Sequence, residues 1–182
     1  MTKKTQPEIA AEIIDCAAGL FARHGLEGTS LQQIADGTGY TKAGVLHHYP
    51  SKRAIYDAVI ETSREGLKGL LAKVEAVPIG ADRDRAVIEA AVDLTFAWPG
   101  VSAFGNKFIH HNQSDDPDMV EMGETMSAAL GLDLESADLD RVVRVSTALA
   151  GLGLASLLAV QLDQKREWRP HLVGAAMNAL GH

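Results

Sequence analysis

The residues of this chain best suited to noncovalent chemistry lie in one short run, Thr41-Lys-Ala-Gly-Val-Leu-His-His48. Thr41 and the two histidines offer hydrogen bonds, Lys42 carries a fixed charge, and Ala43 and Gly44 add almost no bulk. At helical spacing Val45 points to a core, while Thr41, Lys42, Ala43, Gly44, His47 and His48 point outward. Such a face suits the major groove, where base edges present donors, acceptors and the thymine methyl. Lys52 and Arg53 open the next helix, where free backbone N–H groups and the helix dipole also favour a phosphate. The partner this predicts is double-stranded DNA. Other chemistry finds less support. No recognised nucleophile–base or acid–base motif occurs, so an all-α soluble enzyme, or a small-molecule-binding module without DNA function, is the alternative. Neighbouring histidines diverge by about 100° on a helix, and the chain has no His-x₃-His pair and no Cys cluster. No metal or cofactor is therefore expected.

Hydrophobic spacing and caps supply the frame for that run. Ile9, Ile13, Cys16, Ala17, Leu20 and Phe21 make one apolar stripe on a helix from about Pro7 to His24, closed by Gly25. A second helix starts at Thr29 or Ser30, with Gln32 or Gln33 three residues on as in a capping box, and ends near Gly37. Gly39 supplies the turn and Thr41 caps the third helix, which stops before Pro50. Leu31, Ile34, Ala35, Tyr40, Val45 and Tyr49 are expected to pack the three together. Prolines then punctuate the chain, none of them inside a helical period. Further helices are expected at Lys52 to about Val77, Asp82 to Trp98, Val101 to His111, Asp118 to Leu130, Ser136 to about Lys165, and Pro170 to Leu180. The total is nine helices and no strand, an all-α fold.

Composition agrees with a soluble helical protein: 46% of the 182 residues are hydrophobic and 23% are charged. The net charge of −7 is unevenly spread. Residues 1–56 carry six Lys/Arg against five Asp/Glu, a net of +1, which leaves −8 for the remainder. An acidic body would turn the less acidic end toward phosphate. The single cysteine, Cys16, falls on an apolar face and fits a reducing cytoplasm. No signal peptide is visible. Val145 to Leu162 runs 18 residues without a charge, at the lower limit for a membrane span. Its Ser, Thr and Gln content favours a buried helix, and no membrane partner is expected.

Residues 9–56 resemble the TetR family of bacterial transcriptional regulators. The resemblance rests on Ile13 to Phe21, Thr29-Ser30, Ile34-Ala35, Gly39, Thr41-Lys42 and His47-His48-Tyr49-Pro50-Ser51-Lys52. It implies a three-helix helix-turn-helix domain in residues 1–50 and a helical ligand-binding and dimerisation domain in residues 51–182. By position, it implies that Thr41, Lys42 and Gly44 meet phosphate or base edges. His47 and His48 would face DNA, and Lys52 would anchor a phosphate. With Thr29, Gln32 and Ala43, these form the expected DNA-contacting set. Leu46 departs from the family, which most often has a Tyr there reaching the backbone.

Ala148, Gly151, Ala155 and Ala159 form a small-residue stripe that lets two helices approach closely, either within a core or across a dimer seam. The resemblance favours the dimer, with Leu172 and Ala176 supplying the matching face of the last helix. A homodimer would place two reading helices in successive major grooves of a palindromic operator. Phe96, Trp98, Phe104, Phe108, His111, Met122 and Met126 supply adaptable apolar surface for an effector pocket. The function so implied is a cytoplasmic repressor released from its operator by a small molecule.

Overall fold

The computed structural model describes residues 4–110, 117–133 and 136–182; the side chains of 107–110 are outside that description. Among the described residues every regular element is helical: α1 (Gln6–His24), α2 (Leu31–Thr38), α3 (Lys42–His48), α4 (Lys52–Val74), α5 (Ala81–Ala97), α6 (Pro99–His110), α7 (Pro117–Ala129), α8 (Leu139–Gln161) and α9 (Lys165–Leu180). Side-chain caps set several starts. The Thr5, Ser30, Thr41 and Ser51 hydroxyls accept from the backbone N–H three residues on, satisfying donors that a helix start leaves orphaned.

Two boundaries differ from expectation. Pro99 and Gly100 do not merely break the chain; Pro99 is the first residue of α6, where its missing N–H costs nothing. Pro170 does not open the last helix. It lies inside α9, which starts at Lys165. The preceding α8 stops at Gln161 because Asp163 turns left-handed, with φ 53°.

Two hydrophobic clusters share the molecule. One joins Ile13, Ala17 and Phe21 of α1 to Ile34 and Ala35 of α2, Val45 of α3, Ile55 and Val59 of α4, Phe104 of α6, and Met119 and Met122 of α7. The other joins Leu70 and Val74 of α4 to Val87, Ile88 and Val92 of α5 and to the inner faces of α8 and α9. The first half of α4 thus serves the head and the second half the body, and packing does not break at residue 50. Buried polar groups tie the body together. Arg83 donates to the Ala129 and Ala128 carbonyls at 2.7 and 2.9 Å, closing the C-terminal end of α7. Buried Asp84 accepts two bonds from Arg141, at 2.8 and 2.7 Å, joining α5 to α8.

Candidate nucleic-acid interface

The α2–α3 pair owes its form to three local devices. Ser30 and Gln33 cap each other reciprocally, at 3.2 and 2.7 Å, and so define the start of α2. Gly39 ends it at φ 73°, a conformation with little penalty only for glycine. The Gly44 N–H donates to the Thr41 hydroxyl oxygen at 3.0 Å, which starts α3. A Cβ at residue 44 would lie 3.3 Å from that oxygen. Gly44 therefore has a reason inside the protein, room for the cap, whatever it does toward DNA.

Packed on Val45, which is fully buried, α3 turns Thr41, Lys42, Ala43, Leu46 and His47 to solvent, with Gly44 and His48 half-buried at its flanks. Lys42 enters no ion pair among the described residues. The His47 and His48 rings stand edge to face with centroids 5.7 Å apart. Leu46, 37% exposed, is the one large hydrophobic side chain left open among the described residues of α1–α3. Tyr40 anchors the turn to α1 by donating to Glu12 at 2.6 Å. The hydrogen bonds from Lys4 and Tyr40 hold the Glu12 carboxyl below its ordinary pKa.

Three expected contact residues sit differently. Thr29 is only 2% exposed and its hydroxyl donates to the Gly25 carbonyl at 2.8 Å. It closes the α1–α2 turn and has no outward face. Lys52 is half-buried and its ammonium donates to the Leu26 carbonyl at 2.6 Å, so in this state it clamps the same turn. Gln32 is exposed on α2 but is held by Asp36, to which it donates at 2.7 Å. The structure thus gathers Thr41, Lys42, Ala43, Gly44, His47 and His48 on one surface, while Thr29 lies beneath it.

Residues 13–59 match the family described as "Bacterial regulatory proteins, tetR family". Over those residues the chain has the sequence pattern of the TetR family. It is 34% identical over 85 residues to the HTH-type transcriptional repressor KstR2 of Rhodococcus jostii, a match covering 47% of this chain and 40% of that protein. The chain therefore spans less than half the length of that relative in the match. Two solved structures share the fold over nearly the whole length. Probable transcriptional regulatory protein RHA5900 has a TM-score of 0.58 at 19% identity, with 95% of this chain and 99% of that one covered. SCO3833 of Streptomyces coelicolor A3, a TetR-family member, has a TM-score of 0.56 at 18% identity, with 100% and 96% covered.

Beyond α1–α3, most of the residues expected to form a dimer stripe sit inside the subunit. Ala148, Ala159, Leu172 and Ala176 are buried within the subunit, where they seat α8 on α9; Ala155 is half-buried and Gly151 exposed. The open stripe lies about one residue, or 100°, further round α8. It consists of Val143, Thr147, Gly151, Leu154, Leu158 and Leu162, with Leu154 74% exposed. The expected buried helix is therefore buried on one side only: 28% of its apolar window lies inside the fold. By length and composition α8 is also the one described helix able to cross a membrane unaided. Between α8 and α9 an apolar groove of about 320 Å³ is bordered by Ala148, Gly151, Ala155, Leu172 and Ala176.

Among the described residues, those expected to line an effector pocket do not surround one cavity. Phe104, 2% exposed, packs edge-on to Tyr56 with centroids 5.7 Å apart, and Met122 shares its cluster. Phe96 and Met126 pack against the other cluster. Trp98 instead walls an open cleft of about 470 Å³ with Glu12, Asp15, Cys16 and Thr38. The Phe108 side chain and His111 lie outside the described residues. The aromatic groups were visible in the sequence, but aromatic content does not distinguish filling a core from lining a pocket.

Sequence reasoning also passed over Asp15. Its Oδ1 accepts from the Gly100 and Val101 N–H groups at 2.8 and 3.0 Å. Burial pushes its carboxyl above the ordinary pKa despite those two bonds. An acidic residue at a half-apolar position of α1 was the available signal.

Proposed function

We propose that the chain is a dimeric transcriptional regulator, a repressor that binds a palindromic DNA operator through α3 and leaves it when a small-molecule effector binds. The observation that carries this is the outer face of α3. Six small, cationic or hydrogen-bonding residues surround a helix fixed by a left-handed turn and a side-chain cap, with an unpaired Lys42 among them. In this reading residues 1–50 bind DNA and residues 51–182 regulate and pair. The open stripe on α8 supports pairing. Gly151 of α8 and Gly174 of α9 have nothing within 4 Å of where a Cβ would stand, yet glycine inside a helix costs about 1 kcal/mol relative to alanine. Close approach of a second subunit would use the room at both. Repression is supported by the 34% identical relative, which is a transcriptional repressor.

Selection of bound duplexes from a random pool tests the proposal. An inverted repeat with half-sites about 34–36 Å apart is the expected outcome. Addition of candidate effectors to the selected duplex then reads release. A pool that shows no enrichment would overturn the proposal.

A further inference from the structure

The head is joined to the body covalently through α4 alone. A head held at one point can swing, whereas a second point of attachment fixes its orientation. That second point is the crossing of α1 and α6. A Cβ at Gly100 would lie 1.8 Å from the Asp15 carbonyl oxygen, and one at Gly19 would lie 3.6 Å from the Gly100 Cα. The two helices therefore meet backbone to backbone. At the same place the Asp15 carboxylate of α1 receives the first free N–H groups of α6, from Gly100 and Val101. Those N–H groups have no partner within their own helix, so an acceptor held on α1 satisfies both and fixes the two helices in direction and distance. The cap is supplied by a residue 85 positions away in the chain, so it serves tertiary placement as well as the helix.

We propose that Asp15 is a positioning residue for operator binding: by capping α6 from α1 it fixes the head on the body and so sets the distance between the two reading helices of the dimer. This inference rests on the dimeric, operator-binding function proposed above. Base pairs rise about 3.4 Å along the duplex, so a head displaced by a few ångströms loses its half-site while its partner keeps its own.

The test uses the full chain as wild type, Asp15→Ala and Asp15→Asn. Its probes are the selected inverted repeat, a single half-site duplex, and repeats with one base pair inserted or removed between half-sites. Wild type is expected to prefer the intact repeat to the half-site and to reject altered spacing. Asp15→Ala should bind the repeat about tenfold more weakly, keep half-site affinity within about twofold, and lose most of its discrimination between spacings. Asp15→Asn should behave as wild type, because an amide oxygen accepts the same two bonds. If Asp15→Ala fails to fold, Asp15→Leu fills the volume without an acceptor and is measured against the same duplexes. Retained spacing discrimination in the Ala or Leu variant would overturn the inference, as would half-site and full-site affinities falling together. Wild type that does not prefer the repeat to the half-site would instead contradict the dimeric function itself, whatever the variants do.

Discussion

The outer faces of α3 and α8 are both left unpaired by the subunit, and they differ in kind. On α3 and its N-cap the open positions are Thr41, Lys42, Ala43 and His47; on α8 and its C-cap they include Val143, Leu154, Leu158 and Leu162. The first face is small and polar, able to replace water at phosphates and base edges. The second is wide and apolar, and gains by leaving water altogether, at roughly 1.5–3 kcal/mol for each fully buried Leu. Their glycines differ too. Gly44 leaves room for a hydrogen-bonded cap within its own helix, whereas Gly151 leaves room that nothing in the subunit uses. The contrast matches the proposed function, in which the α3 face meets a nucleic acid and the α8 face a second copy of the chain.

The largest expected effect comes from making the two faces alike. Leu154→Asp places an unpaired charge on the α8 stripe and should weaken pairing by about 2–4 kcal/mol, a hundredfold or so in the dissociation constant. Sedimentation equilibrium reads this directly, and an unchanged dimer would remove α8 from the interface. Next in size is Thr41→Ala, which removes the α3 cap and should cost about 1 kcal/mol of head stability. Thr41→Ser should restore it, as measured by thermal unfolding. Lys42→Ala should reduce operator affinity for all sequences and lower the slope of log affinity against log salt by about one unit per half-site. An unchanged slope would mean that Lys42 meets no phosphate.

The smallest effect concerns Asp15, where burial raises the folded carboxyl's pKa. A raised folded value means that stability is fullest below the unfolded pKa and falls as pH rises through the folded one. Asp15→Asn, which keeps the cap without the charge, should therefore equal or slightly exceed wild type in melting temperature at neutral pH. The difference should vanish below the ordinary carboxylate range. A lower melting temperature for Asp15→Asn at neutral pH would show that the charge itself stabilises the joint.

The head was largely legible in the sequence because its determinants are local. Ser30 and Thr41 cap helices three residues away, and Gly39 turns the chain where it stands. The misplaced start of α9 has a local cause as well. Proline is tolerated in a helix's first turn, where N–H groups are unbonded anyway, and Pro170 was read there, although it lies in the second turn. The burial of Thr29 is not legible in the sequence, because a hydroxyl beside a helix start can cap, face DNA or close a turn, and only the fold brings the Gly25 carbonyl within its reach. The exposed stripe of α8 lies one residue round from the small-residue stripe visible in the sequence. Alanines and leucines alternate on that helix, and which of the two faces α9 is set by packing against α5 and α9. The sequence marks Asp15 only as an acidic residue at a half-apolar position; its role is not legible there, because its partners are the first N–H groups of a helix 85 residues away.

The most direct measurement is the affinity of a Thr41→Ala, Lys42→Ala, His47→Ala triple variant for the selected duplex, alongside wild type and with helicity and dimer mass recorded for both. Loss of the Thr41 cap should cost about 1 kcal/mol, but none of the three side chains is buried, so fold and pairing should persist, as the recorded helicity and mass check. The account predicts that sequence-selective binding is lost, with residual affinity equal to that for random duplex. Undiminished selective binding by the triple variant would contradict the assignment of α3 as the reading helix.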